Sequence, residues 1–339
     1  MRLSARLMIA GLAMTVGGAA AGCSAAPKLA YDNHATRPTS RPATASGPPG
    51  AQPGTAPAGA PGPAGPAGPA GPAGPRIVVA GAPRGVKAKA GILVDAATGQ
   101  VLWARQADVE RPIASITKVM TAYLVLQAGN LDRRITIPKA VLDYVWKYGA
   151  SSDGLRPAEV LTARQLLYGL LLESGADAAY TLASAYGPGL PAFVARMNAT
   201  ARQLGMLHTH FTTPDGLPYP TGTSTYSTPA DLLMLGTAAM KSAVFRSIVD
   251  LRYYALPKGQ GHAFHWWGNS NDLIGRYPGA VGIKSGYTVA AAHCLLFEAV
   301  RGGRPLLGVV LGSPPTGVAA GAKDAARVLN WAFTLKQSP

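Results

Sequence analysis

Two cysteines among 339 residues exclude a disulfide framework. Cys23 stands at the end of a stretch that reads as a removable leader, and Cys294 lies inside the apolar run "HCLLFEAV", so the two are not expected to meet. The fold must then be held by its core, with Cys294 as a small buried hydrophobe. There is no CxxC and no histidine-rich cluster. The closest histidine pairs, His208 with His210 and His262 with His265, have no acidic residue beside them, so no metal and no cofactor is expected. Acidic residues are scarce too, 16 against 31 basic ones, for a formal charge of +15. Without the first 76 residues the charge is +10, an excess that attracts anionic partners such as lipid headgroups or wall polymers. Aromatics make up 7% of the chain and do not interleave with a basic stripe, which argues against a nucleic-acid partner.

Apart from core-sized segments, the chain has one extended apolar stretch, Leu7 to Ala21, preceded by Arg2 and Arg6. It is short for a membrane span and reads as a secretory signal over residues 1–22. The following Ala20-Ala21-Gly22-Cys23 is close to a bacterial lipobox but has alanine where the leucine usually stands. Two outcomes stay open: lipidation of Cys23, or ordinary cleavage near Ala25 or Ala26. Both place the mature chain outside the cytoplasm, on the extracytoplasmic side of the membrane. Residues 23–84 are rich in Pro, Ala and Gly, and glycine recurs every third position from Gly59 to Gly74. Six such triplets read as a polyproline-II tether rather than a collagen helix, reaching roughly 55 Å at about 3.1 Å per residue. Residues 85–339 form the expected folded domain, and any anchoring is assigned to the N-terminal side.

Within that domain "AGILVDAATGQVLWARQ" predicts a hairpin around Ala97-Thr98-Gly99. A helix is expected from near Ser115 to near Gly129. Thr162 with Gln165 predicts a capping box before "LLYGLLL", and another helix is expected from Asp177 to Gly187. "PAFVARMNATARQLG" and "TPADLLMLGTAAM" are further helices, the latter with Thr228 as cap, Pro229 first and Asp231 third. "AVGIKSGYT", "HCLLFEAV" and "PLLGVVLG" predict three consecutive strands, with a turn at Arg301-Gly302-Gly303-Arg304. A last helix is expected from Ala322 to about Phe333. Strands at both ends with helices between them imply one α+β domain on a mostly antiparallel sheet.

The segment "RPIASITKVMTAYL" holds the chemistry. Ser115 and Lys118 are three apart, hence on one helical face. A serine hydroxyl is a weak nucleophile until a base takes its proton, and a lysine does so only when neutral. Burial, the positive end of the helix dipole, or a second cation would lower its pKa. Alone, Ser-x-x-Lys is also what a capping serine beside a snorkelling lysine looks like. Two further segments add weight: Ser174-Gly175-Ala176 in a break between helices, and Lys284-Ser285-Gly286 on a predicted strand.

With these three motifs in this order, residues 88–335 resemble the serine D-alanyl-D-alanine carboxypeptidases, the low-molecular-mass penicillin-binding proteins. The likeness continues through "MNATARQLGMLHTHFTTPDGL", "STPADLL", "GNSNDLI" and "DAARVLNWAF". The resemblance implies a β-lactamase/transpeptidase-like α+β fold with an inserted all-helical part. It also implies that Ser115 is acylated, Lys118 is its base and Ser174 relays a proton. Lys284 would be the second cation that keeps Lys118 neutral, and Ser285 would bind the substrate carboxylate. The N–H groups of Ser115 and Tyr287 would hold the oxyanion, Thr288 would assist, and Gly286 would let the peptide stem approach an exposed strand edge. The implied partners are peptidoglycan stem peptides and, as covalent inhibitors, β-lactams. Three positions depart from the family: Ala176 replaces an asparagine, Ala292 stands where glycine is expected, and "GSPPTG" (312–317) lacks an arginine.

Two rivals remain. A class A β-lactamase would need Glu-x-x-Leu-Asn and Ser-Asp-Asn, and the chain has neither. A non-catalytic wall-binding domain would have no use for a serine-lysine dyad. Carboxypeptidase and transpeptidase differ only in whether water or an amine resolves the acyl-enzyme. Among other residues, Asp177 reads as a helix cap, Trp266 and Trp267 as packing aromatics, Asn269 and Asn271 as loop bridges, and Pro214-Asp215-Gly216 as a turn.

Overall fold

The computed structural model describes residues 81–335 except 316 and 318. The expected leader, Cys23 and nearly all of the tether lie outside the described residues. The domain opens on a hairpin, β1 (Ala90–Asp95) and β2 (Val101–Arg105). Asp95 Oδ1 accepts from the N–H of Ala97, and Gly99 takes φ 75°, a left-handed value that glycine adopts without strain. The two-residue ladder β3 (Arg111–Pro112) follows and leads into a tight 3-10 turn, Ala114–Thr117.

The inserted part is mainly helical: α1 (Lys118–Ala128), α2 (Lys139–Tyr148), α3 (Ala163–Tyr168), α4 (Ala176–Tyr186), α5 (Leu190–Gln203), α6 (Pro229–Ala239) and α7 (Ala243–Val249). Short ladders punctuate it, β4 (Arg134–Thr136) with β5 (Val160–Thr162), β6 (Tyr226–Ser227) with β3, and β7 (Tyr253–Leu256) with β8 (His265–Gly268). The chain then returns to the sheet through β9 (Ala280–Thr288), β10 (Ala292–Arg301) and β11 (Arg304–Ser313), and ends on α8 (Ala320–Phe333).

The main sheet has the order β2-β1-β11-β10-β9, with every pair antiparallel, so β9 is an edge. Side chains alternate across it. Ile92 and Val94 of β1, Leu296 of β10 and Val309 of β11 face the inserted helices, whereas Leu93, Phe297 and Val310 pack with Leu329 of α8. Helices cover both faces, which is why β1 is buried along its whole length.

Most expected elements are present, with bounds moved by a residue or two. The Thr162–Gln165 capping box forms, and Thr228 Oγ1 accepts from Asp231 N at 3.0 Å as the cap of α6. Helices α2 and α7 were not expected. Residue Pro138 precedes α2 and supplies no capping side chain, while α7 is seven residues long, too short to display a period. Ala292, at the expected glycine position, has φ 55°. A Cβ in that region costs about 1–2 kcal/mol, partly offset by glycine's greater unfolded entropy. Ala292→Gly is expected to raise the unfolding free energy by about 0.5–1 kcal/mol in urea titrations; a loss of stability would contradict this.

Candidate active site

Ser115 lies in the 3-10 turn and Lys118 is the first residue of α1. The turn is forced tight by its neighbours. Strand β9 crosses it so closely that a Cβ on Gly286 would stand 3.0 Å from both Ile113 O and Ser115 N. Ala114 takes φ 49° just before the serine, a value rare for a residue with a Cβ and common where a site is held under constraint. On the other side the turn Thr213–Leu217 packs against the start of α1: Thr121 Oγ1 donates to Pro214 O at 2.6 Å, and Lys118 Nζ donates to Asp215 O at 2.9 Å. Lys118 Nζ also reaches Ser115 Oγ at 3.0 Å. Its side chain is 1% exposed, which sets it apart from a snorkelling lysine.

Ser174 ends a π-helical turn, Gly169–Glu173, with φ 74°. Such turns recur at functional sites because they push one residue out of helical register. Ser151 Oγ donates to Ser174 O, and Ala176 N donates to Ser151 O at 2.8 Å, so the loop before β5 straps the Ser174–Ala176 segment in place. No hydrogen bond joins the Ser174 hydroxyl to Ser115 or Lys118, and Ser174 borders the same cavity as they do.

Lys284, on β9, is also 1% exposed and donates to Ser270 Oγ at 3.3 Å. Ser270 in turn shares a hydrogen bond with Ser285 at 2.9 Å. A cavity of about 340 Å³ is bordered by Ser115, Lys118, Ser174, Ser270, Ser285 and Tyr287. Gly286 and Thr288 border it as well, whereas Lys284 sits one layer behind, under Ser270. Thr288 Oγ1 accepts from Ala291 N at 3.1 Å, which ties down the end of the strand.

Burial is the largest cause that lowers the Lys118 pKa, and the carboxylates of Asp215, Asp153 and Asp177 oppose it. Lys284 is lowered to about 7 by burial first and by repulsion from Lys118 second, against Asp153 and Glu173. Burial thus disfavours the charged form of both lysines. Cys294, paired with Gly286 across the sheet, is pushed up to about 12 by burial, so its thiol is inert.

Several residues take on other roles. Asp177 is not the cap of α4, a place held by Gly175; its carboxylate accepts from Ser152 Oγ at 2.7 Å and from Asp153 N at 2.9 Å, anchoring the strapping loop. Asp215 is more than a turn residue, since its carbonyl holds Lys118. His265 gains an acidic partner that lies 106 positions away, Glu159 Oε2 at 3.2 Å. Asn269 bridges loops through Val249 O and Leu251 O, at 3.0 and 2.8 Å. Ser270 joins Lys284 to Ser285; its place in "GNSNDLI" was the one signal that marked it.

The family profile for D-alanyl-D-alanine carboxypeptidase matches residues 77–315. The D-alanyl-D-alanine carboxypeptidase of Streptomyces sp. strain K15 is 39% identical over 262 residues, 74% of this chain and 88% of the relative. DacB2 of Mycobacterium tuberculosis, which carries the same name, is 40% identical over 249 residues, 73% of this chain and 83% of the relative. A solved serine-to-alanine mutant of the Streptomyces K15 DD-transpeptidase superposes with TM-score 0.70 at 39% identity, covering 74% of this chain and 99% of that one. On motif order, fold and these relatives, the chain belongs to the D-alanyl-D-alanine carboxypeptidase family.

Proposed function

We propose that the protein is a serine D-alanyl-D-alanine carboxypeptidase that trims peptidoglycan stem peptides through an acyl-enzyme on Ser115. The observation that carries this reading is the buried Lys118 amine, 3.0 Å from Ser115 Oγ at the mouth of a cavity walled by the β9 edge. The neutral amine takes the Ser115 proton as Oγ attacks the carbonyl of the penultimate D-alanine. The oxyanion that forms is received by the N–H groups of Ser115 and Tyr287, donors worth about 3–4 kcal/mol each in such a hole. Ser174 passes the proton to the departing D-alanine nitrogen. Ser285 meets the substrate's terminal carboxylate, Thr288 flanks it, and Lys284 supplies positive potential from behind Ser270. The stem peptide lies along the free edge of β9 as an added strand; the missing side chain at Gly286 makes room for the Ser115 turn instead of the substrate. Water then hydrolyses the ester. β-Lactams acylate the same serine, because their ring amide presents the same carbonyl.

A DD-transpeptidase reading, in which an amine replaces water, is favoured by the name of the solved K15 relative. It shares every step up to the acyl-enzyme. Intact-mass measurement after incubation with a labelled penicillin tests that common core. The wild-type chain should gain one penicilloyl group and Ser115→Ala none; equal labelling of both would remove Ser115 from the mechanism.

A further inference from the structure

A run of tyrosines leads from the core to the rim of the active-site cavity, and the reaction above uses none of them. Tyr144 and Tyr148 are four residues apart on α2, hence on one helical face, with ring centroids 4.9 Å apart. Tyr144 also packs at 4.1 Å on the buried Tyr180 of α4, and its hydroxyl donates to Asp215 Oδ2 at 3.2 Å. Tyr148 in turn meets Tyr219 edge-on at 6.1 Å. The inner end of the run is thus fixed, while its outer end is open: Tyr148 is 42% and Tyr219 58% exposed. Rings held from behind in this way lose little freedom when something binds against them.

The open pair stands at the cavity. Gly149, directly after Tyr148 at the end of α2, borders it, and so does Leu217, two residues before Tyr219. The loop that carries Tyr219 then reaches the turn between β9 and β10, where a Cβ on Gly222 would stand 3.3 Å from Ala290 Cβ. This decides which part of a substrate the pair meets. With the terminal carboxylate at Ser285 and the scissile carbonyl at the Tyr287 N–H, the stem peptide continues along β9 toward that same turn. The side group it carries there belongs to the residue preceding D-alanyl-D-alanine, and its counterpart in a penicillin is the acylamino group. Lys147 Nζ already lies 5.0 Å from the Tyr148 ring centroid, so the rings are no open cage for a second cation; apolar packing is the chemistry left to them.

We propose that Tyr148 and Tyr219 form an apolar subsite for the acyl donor, packing on the side group of the residue that precedes D-alanyl-D-alanine and so selecting among stem peptides. The inference rests on the carboxypeptidase reading of the site and adds a specificity that reading leaves open. Neither ring takes part in proton transfer. Their effect therefore depends on whether the donor carries a side group, and on how much of it is apolar.

The test compares acylation of the full chain by benzylpenicillin, which carries an aromatic side group, and by 6-aminopenicillanic acid, which has the same fused rings and carboxylate without that group. Intact mass against time gives the two second-order rate constants. Tyr148→Ala and Tyr219→Ala are each expected to lower the benzylpenicillin-to-6-aminopenicillanic acid ratio by about two- to tenfold, the usual worth of a ring contact, and Tyr148→Phe to keep it. Release of D-alanine from acetylated tripeptides ending in D-alanyl-D-alanine, with norleucine or glycine in first place, should show the same loss of preference. Equal slowing with both penicillins would mean that the tyrosines only support the Asp215 turn, and it overturns the proposal. An unchanged ratio, or one that falls as far in Tyr148→Phe as in Tyr148→Ala, does the same. Lost preference among penicillins but not among peptides removes the stem peptide as occupant and overturns it too. A wild-type chain that takes no label from either penicillin would instead overturn the carboxypeptidase reading, and this inference with it.

Discussion

Lys118→Arg is expected to cut the rate of acyl-enzyme formation by about 10²- to 10⁴-fold, the usual contribution of a general base. The substitution keeps a long basic side chain and removes the one property the mechanism needs. A guanidinium stays charged at every accessible pH, so it donates hydrogen bonds and accepts no proton. Lys118 is 1% exposed and its Nζ is already shared between Ser115 Oγ and Asp215 O, a geometry that an amine satisfies from a single atom and a planar fork does not. A buried lysine also titrates readily, because desolvation favours its neutral form; arginine lacks that response. Labelled penicillin with time-resolved intact mass gives the rate, and far-UV circular dichroism shows whether the variant is folded. A folded Lys118→Arg protein acylated within about threefold of wild type would exclude general-base catalysis by this residue.

Gly216→Ala is expected to destabilise the domain by about 3 kcal/mol or more, through strain and overpacking together. At Gly216 φ is 85°, where any Cβ is strained. The added atom would overlap the carbonyl oxygen of Ala114 and come within 2.7 Å of Thr117 Oγ1, both in the turn that carries Ser115. Neither neighbour has slack. Ala114 already has a positive φ, and Gly286 presses on the turn from the opposite side. The turn containing Gly216 must then back away, taking with it the Asp215 carbonyl that holds Lys118. At about 2–4 °C per kcal/mol for a domain of this size, the melting temperature should fall by roughly 6–12 °C. Acylation should fall with it even at temperatures where the variant is folded. A variant that melts with wild type would show that the turn yields at little cost.

Both predictions begin from residues that differ in how openly the sequence displayed them. Lys118 was visible as a lysine among apolar neighbours, three places after a serine. Gly216 and Asp215 read as an ordinary turn, because the contact that matters is a backbone carbonyl reaching a side chain 97 positions away. Backbone atoms leave no mark in residue identity. Ser270 was hidden for a related reason, since its hydroxyl gains meaning only when the loop after β8 is laid against β9. Asp153 resembles any acidic loop residue until Gly169 and Gly175 are seen to close around it.

Local spacing determined what depends on neighbours in the chain: the hairpin, the capped starts of α3 and α6, the three returning strands, the Ser115–Lys118 pairing and the order of the motifs. These follow from periodicity and short-range hydrogen bonds, which act over a few residues. Tertiary packing alone decided the electrostatic state of the site. Desolvation depends on everything packed around a group, and burial is the first cause lowering both Lys118 and Lys284. It also decided that β9 is an edge of the main sheet, and that the Asp153 carboxyl is enclosed behind the middle motif, because both come from segments that meet only when the whole chain has folded.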